Sequence, residues 1–198
     1  MHTLIVVPHP DVNSLTHAVA KRIASRLAAD GAADTVELAD LAGEGFSPVY
    51  TEADAAFFQN RGPLPADVAT EQARIDRADT LVLVYPIYWW SFPALLKGWI
   101  DRVFTNGWAY QDDGSGRVGK CLQRLHVHLV ALGGADQRTI ARHGYFGAMR
   151  TQIDHGIFDY CGATVVRSEL LLASDAGYPD AHLAAADAIG GRIANALP

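Results

Sequence analysis

The sequence predicts an α/β fold: a doubly wound, five-stranded parallel sheet of strand order 2-1-3-4-5, with helices on both faces. Three observations predict it. The continuous apolar runs TLIVVP (3–8), TLVLVYP (80–86) and LHVHLVAL (125–132) have the composition of strands buried on both faces. Helical patterns lie between the strands, so that strand and helix alternate about five times. No Pro-, Gly- or Ser-rich linker interrupts the order and no internal repeat is present, so residues 1–198 are expected to form one domain.

The elements follow in turn. After strand 3–8, residues 15–29 carry Leu15, Val19, Ile23 and Leu27 at i, i+4 spacing, with Lys21, Arg22 and Arg26 elsewhere, which predicts an amphipathic helix. DTVELAD (34–40) alternates apolar and polar, the pattern of a strand nearer the sheet edge. GEGFSPVYTEAD (43–54) is a long connection, and helical pieces follow at 52–60 and 66–78, parted by Gly62, Pro63 and Pro65. Beyond strand 80–86, a stripe of Phe92, Leu95, Leu96, Trp99, Ile100 and Val103 marks the next helix. QDDGSGRVGK (111–120) is rich in turn residues and reads as a mobile loop. Strand 125–132 ends at Gly133-Gly134. Residues 146–161 read as a helix, 164–173 as the last strand, and 180–197 as a final helix weakened by Gly190-Gly191.

Composition narrows the function. A net charge of −6 argues against a nucleic-acid surface and a polybasic membrane anchor. Two cysteines without a CxxC suggest neither a disulfide framework nor a zinc site. The N-terminus has no basic segment ahead of its apolar run and reads as a strand, not a signal peptide, which makes the cytoplasm the expected location. Residues 80–96 lack charge, but Pro86 and Pro93 would interrupt a membrane-spanning helix there.

An open α/β sheet binds ligands beyond the carboxyl ends of its strands. Segments 9–16, 86–91 and 131–145 are therefore expected to converge. The first, HPDVNSLT, contains neither GxGxxG nor a P-loop. It does place Asn13, Ser14 and Thr16 where a helix begins, which suits either a phosphate or ordinary capping by Ser14. In PIYWW (86–90), Pro86 has no N–H for the strand ladder, so Ile87, Tyr88, Trp89 and Trp90 fall at the edge, and Ser91 can cap the next helix. The helix stripe already supplies a packing face, so these rings suit the wall of a planar heterocycle. In the third segment, Gly133 and Gly134 permit either close ligand approach or a tight turn. His143 could donate a proton or lie solvated at the surface. His126 and His128 share a strand face but do not make a metal site. The chain contains no HExxH, GxSxG or catalytic-cysteine signature.

YPIYWWSFPALLKGWIDRVFTNGWAY (85–110) resembles the signature segment of the NAD(P)H:quinone oxidoreductase family, flavodoxin-like flavoproteins that include DT-diaphorase and the ancillary oxidoreductases of potassium efflux systems. HPDVNSLTHA (9–18) is similar to the family's first loop, and GG followed by HGY to its fourth. The resemblance implies a flavin whose phosphate sits on His9, Asn13, Ser14, Leu15 and Thr16. Its isoalloxazine would lie along Pro86, Ile87, Tyr88, Trp89 and Trp90, with Gly133 and Gly134 at the other edge. It further implies a homodimer, NAD(P)H as co-substrate, and two-electron reduction of a small-molecule quinone by ping-pong turnover. His143 matches a pocket histidine, and Tyr145 or Thr139 stands near a family tyrosine. The family's usual Thr-Thr before the glycine pair is Ala131-Leu132 here, which leaves only backbone groups for the ring. FMN is the expected flavin because the chain is short and lacks an obvious adenine pocket, with FAD the alternative. Two rival functions are a flavodoxin-like electron carrier and a regulatory partner of a potassium efflux system.

Overall fold

Thr3–Val7 and Thr80–Tyr85 are apolar in almost every position, which forces both strands to be covered on two sides. The structure, a computed structural model, describes residues 1–29, 35–114 and 116–195. The strand at position 34 and the helix at 196–197 were expected to extend into positions outside the described residues. The elements are β1 (His2–Val7), α1 (Leu15–Ala29), β2 (Thr35–Asp40), α2 (Glu52–Phe58), α3 (Ala66–Arg77), β3 (Thr80–Pro86) and α4 (Ala94–Val103). Next come β4 (Tyr110–Asp112), β5 (Val118–Lys120), β6 (His126–Gly133), α5 (Gln137–His143) and α6 (Tyr145–Arg150). A π-helical segment (Thr151–Asp159), β7 (Thr164–Leu172) and α7 (Asp180–Asn195) complete the chain.

Five strands form one sheet of order β2-β1-β3-β6-β7, and every pairing in it is parallel. This is the predicted order. Side chains alternate between two apolar layers. Leu4, Val6, Leu81, Leu83, Val127 and Leu129 pack with α4 and the π-helical segment. Ile5, Val7, Val82, Val84, Val130 and Leu132 pack with α1 and α7. Fully burying a Leu or Ile contributes about 1.5–3 kcal/mol, and Ile23 and Leu27 of α1 are both wholly buried.

The stretch 94–104 serves the core. The Trp99 indole N–H donates to Glu71 at 2.8 Å, and Arg102 binds both oxygens of buried Asp54 at 3.1 Å. A Cβ at Gly98 would lie 2.3 Å from the Pro48 carbonyl oxygen, so only glycine lets the 43–51 connection press on α4.

Four local expectations need correction. Residues 111–120 include a short antiparallel hairpin, β4 with β5; Ser115 lies outside the described residues. Its turn glycines, Gly114 and Gly116, take positive φ and make the reversal without a long loop. Residues 137–143 form α5 rather than loop, because Asp136 accepts the Thr139 N–H at 2.7 Å and Gly144 closes the end at φ 68°. The expected helix 146–161 divides into α6 and the wider π-helical segment. Ser91 does not cap α4: its hydroxyl donates to Gln152, and Pro93 holds the cap position without a side-chain bond.

Candidate functional site

The first loop leaves β1 at the carboxyl edge and closes on itself before α1 begins. Asp11 organises it: its carboxylate accepts the Asn13 N–H at 2.9 Å, and its carbonyl accepts the Ser14 N–H at 3.0 Å. The His9 ring accepts the Asp11 N–H at 3.1 Å. The N–H groups of Leu15 and Thr16 fall in the first turn of α1, where a helix has no internal acceptor and its dipole favours an anion. Asn13 is exposed, Ser14 and Leu15 are half-buried, and Thr16 is buried.

The second loop leaves β3, the neighbour of β1. Pairing runs one residue beyond Pro86, since the Ile87 N–H donates to the Leu132 carbonyl at 2.8 Å. The chain then reverses within two residues. Tyr88 and Ser91 exchange backbone hydrogen bonds of 3.2 and 3.1 Å, with Trp89 at φ 51° and Trp90 at φ 61° between them. Positive φ at both central positions is the signature of a type I′ turn, which ordinarily takes Asn-Gly. Two tryptophans there carry a steric cost of about 1–2 kcal/mol each. The turn presents Trp89 with 93% of its surface exposed. Trp90 instead lies against Tyr145, ring centroids 3.6 Å apart and planes 9° from parallel, and His143 continues the stack 5.2 Å beyond.

The third segment meets the second in a cleft of about 190 Å³ lined by Ile87, Trp89, Trp90, Gly133, Gly134, Ala135 and Ile140. The two glycines differ in role. A Cβ on Gly133 would meet Leu172 at 2.9 Å and Ile87 at 3.2 Å, so packing dictates that glycine. A Cβ on Gly134 would meet nothing within 4 Å, so Gly134 is open toward the cleft. The narrow space between an indole wall and a bare backbone edge suits a flat, conjugated ring.

A family model, described as flavodoxin-like fold, matches residues 1–193. The chain belongs to the flavodoxin-like family. A curated relative of this flavodoxin-like chain, an uncharacterised NAD(P)H oxidoreductase of Haemophilus influenzae, is 32% identical over 86% of this chain and 83% of its own length. Among solved structures, the NAD(P)H:quinone oxidoreductase of Methanothermobacter marburgensis superposes with a TM-score of 0.87 at 28% identity, covering 98% of each chain. The general stress protein 14 of Treponema denticola, solved in complex with FMN, gives a TM-score of 0.66 at 25% identity with both chains wholly covered.

Within this flavodoxin-like frame, the structure brings Ile87, Trp89, Trp90, Gly133 and Gly134 into one cleft, with Tyr145 and His143 stacked behind Trp90. Pro86 and Tyr88 flank the turn without lining that cleft. Residues 9–16 form a separate loop on the adjacent strand, about 4.8 Å away in the sheet. Sequence reasoning missed Ala135 and Ile140, which the Asp136 cap and the Gly144 stop of a short helix could have revealed. It also missed His17 and Asp40, which stand behind the first loop.

Charged groups near the sheet explain themselves structurally. Burial, then the neighbouring His126, Arg192 and Arg167, pushes the His128 imidazole down to about 4. Burial raises the Tyr85 hydroxyl well above its ordinary value, with the Asp154 carboxylate adding to the effect. Both lie on strands beneath the helices and outside the cleft lining. Among the described residues, no group of three or more His, Cys, Asp or Glu could hold a metal, and no helix is long and apolar enough to cross a membrane.

Proposed function

We propose that this protein is a flavin-dependent NAD(P)H oxidoreductase that reduces quinones or similar electrophiles by two electrons, with FMN as its flavin. The observation that carries this reading is the Trp89-Trp90 turn, held at positive φ against an open glycine edge. Backbone strain of that kind persists where the surroundings over-determine it, and it gathers at ligand sites. Names of the relatives support the activity, and the FMN complex of a solved relative supports the choice of flavin.

The residues present fit the group. Asn13, Ser14, Leu15 and Thr16, with His9 at the loop's start, offer short side chains and first-turn N–H groups for a phosphate. Ile87, Trp89 and Trp90 offer a planar wall, with Pro86 and Tyr88 fixing where the turn leaves the strand, and Gly133-Gly134 bounds the opposite edge. A bound flavin supplies acceptance of a hydride from NAD(P)H and its delivery to the quinone.

The protein's own part is to stack, to exclude water and to manage charge. Trp89 leaves a ring free to cover a planar substrate. His143 or Tyr145, stacked in line with Trp90, provides the hydrogen-bond donor for the oxygen that gains charge as the quinone is reduced. The two substrates use one space in turn, which makes turnover ping-pong. We assign a homodimer because Val49, Tyr50, Phe58, Tyr88 and Trp89 leave more exposed apolar surface than one small site needs. Free Cys121 and Cys161 fit a reducing compartment, the cytoplasm. A pure electron carrier has no need of a substrate-sized cleft walled by Trp89 and Trp90.

Two measurements test the proposal. Denatured protein should release one yellow pigment that chromatographs as FMN. Purified enzyme should oxidise NADH or NADPH when a soluble quinone is added. Colourless protein that takes up neither FMN nor FAD defeats it.

A further inference from the structure

We infer, resting on the reading of the cleft as the flavin-ring site, that Gln152 is a positioning residue that holds the Trp89-Trp90 turn at the setting a flat ring needs. The turn is fixed to the sheet at its two feet. On one side the Ile87 N–H donates to the Leu132 carbonyl at 2.8 Å. On the other, Phe92 is buried against Tyr85, ring centroids 4.7 Å apart and planes at 81°. The backbone bonds between Tyr88 and Ser91 give the turn its shape, but they do not set its tilt toward Gly133 and Gly134.

The tilt is set from outside, by one helical run that touches the turn twice. Tyr145 lies flat on Trp90, and the Ser91 hydroxyl donates to Gln152 Oε1. Tyr145 opens α6, and Gln152 is the second residue of the π-helical segment. Arg150 and Thr151 both have right-handed helical backbone, so the run passes through the junction unbroken. Gln152 follows Tyr145 by two turns of helix, about 10.5 Å of rise, so both side chains leave the same side. Ser91 gives its hydroxyl to this contact although α4 begins just beyond it. Capping α4 is the ordinary use of a serine there, yet Pro93 holds the cap position with no side-chain bond.

Gln152 does not line the cleft, so it acts through the turn. Positive φ at Trp89 and Trp90 is unfavourable for both residues, and the turn relaxes when a restraint is removed. Tyr145 restrains Trp90 alone. Without Gln152, Ser91 shifts, and the indole wall moves relative to the glycine edge. A ring held in a slot is sensitive to such a shift, since a gap of about 0.5–1 Å forfeits a quarter to a half of each dispersion contact. The loss falls on the ring and spares the phosphate on residues 9–16.

Fluorescence titration of flavin-free protein with FMN, and with riboflavin, which lacks the phosphate, tests the inference. Gln152→Leu removes the acceptor at similar size. It should weaken both ligands by the same factor, about two- to tenfold, the range one hydrogen bond supplies. Gln152→Glu keeps an acceptor for Ser91 and should bind riboflavin as wild type does. Ser91→Ala should match Gln152→Leu, and the double variant should lose no more than either single one. The melting temperature of each flavin-free variant should stay within about 2 °C of wild type, because the relaxed turn recovers strain as the bond is lost. Wild-type affinity in Gln152→Leu, additive losses in the double variant, or a melting temperature that falls further overturns the inference and leaves the flavin assignment standing. Wild-type protein that binds neither flavin removes both.

Discussion

The Trp90 indole and the Tyr145 ring lie flat on one another, 3.6 Å between centroids. One residue belongs to the turn after β3 and the other opens α6, so the stack ties two edges of the cleft together. An aromatic pair contributes about 0.5–1.5 kcal/mol beyond its burial. Tyr145→Leu should therefore weaken FMN binding by about two- to tenfold, whereas Tyr145→Phe should leave it unchanged. Fluorescence titration of flavin-free protein measures both, and equal losses in the two variants would assign the effect to the hydroxyl instead.

Trp89 is almost fully exposed at φ 51°. Glycine at this position removes the left-handed strain. Trp89→Gly should raise the melting temperature of the flavin-free protein by about 2–4 °C, the effect of roughly 1 kcal/mol in a chain of this size. The same change should weaken FMN binding, because the ring wall is gone. A melting temperature that falls would show that Trp89 supports the fold.

For His143 the expectation concerns only one half of turnover. General acid help is worth about 10²–10⁴-fold where it operates. His143→Ala should slow the quinone half-reaction at least about tenfold, while the NAD(P)H half-reaction changes little. Stopped-flow absorbance follows each separately. If both are unaltered, His143 is a solvated histidine at the end of α5.

His128 gives a pH dependence whose sign is fixed. Its folded value is about 4, against about 6.5 for an unperturbed imidazole. Between these values the unfolded chain binds a proton that the folded chain does not, so stability is full above about pH 6.5 and is lost as pH falls toward 4. From pH 7 to pH 5 wild type should lose about 1.5–2 kcal/mol more than His128→Leu, by urea unfolding. Parallel losses in the two proteins would mean that His128 is charged in the native state.

The sheet was legible because burial on both faces leaves an uninterrupted apolar run, as in residues 80–85, and because helix patterns fall between such runs. The edge strand β2 was legible for the opposite reason, since every side chain in it but that of Ala39 remains at least partly exposed. The β4–β5 hairpin was not, because its three-residue strands are mostly exposed, too short to show a side-chain period, and held by backbone pairing. At the site, the aromatic cluster pointed to a ligand wall. Its conformation was hidden: nothing in a Trp-Trp pair asks for positive φ, and the Tyr88–Ser91 pairing imposes it. The contact of His17 with Asp40 spans two elements and exists only because β2 lies beside β1.

The bare indole of Trp89 has a cost during the life of the polypeptide before a cofactor arrives. A large hydrophobic ring standing free in water is an invitation to self-association, and here the turn that presents it is closed by two backbone hydrogen bonds. Freshly made chains should therefore be least soluble when flavin is scarce. Riboflavin supply during expression should raise the yield of soluble protein, and it should do so less for a chain that carries glycine at position 89.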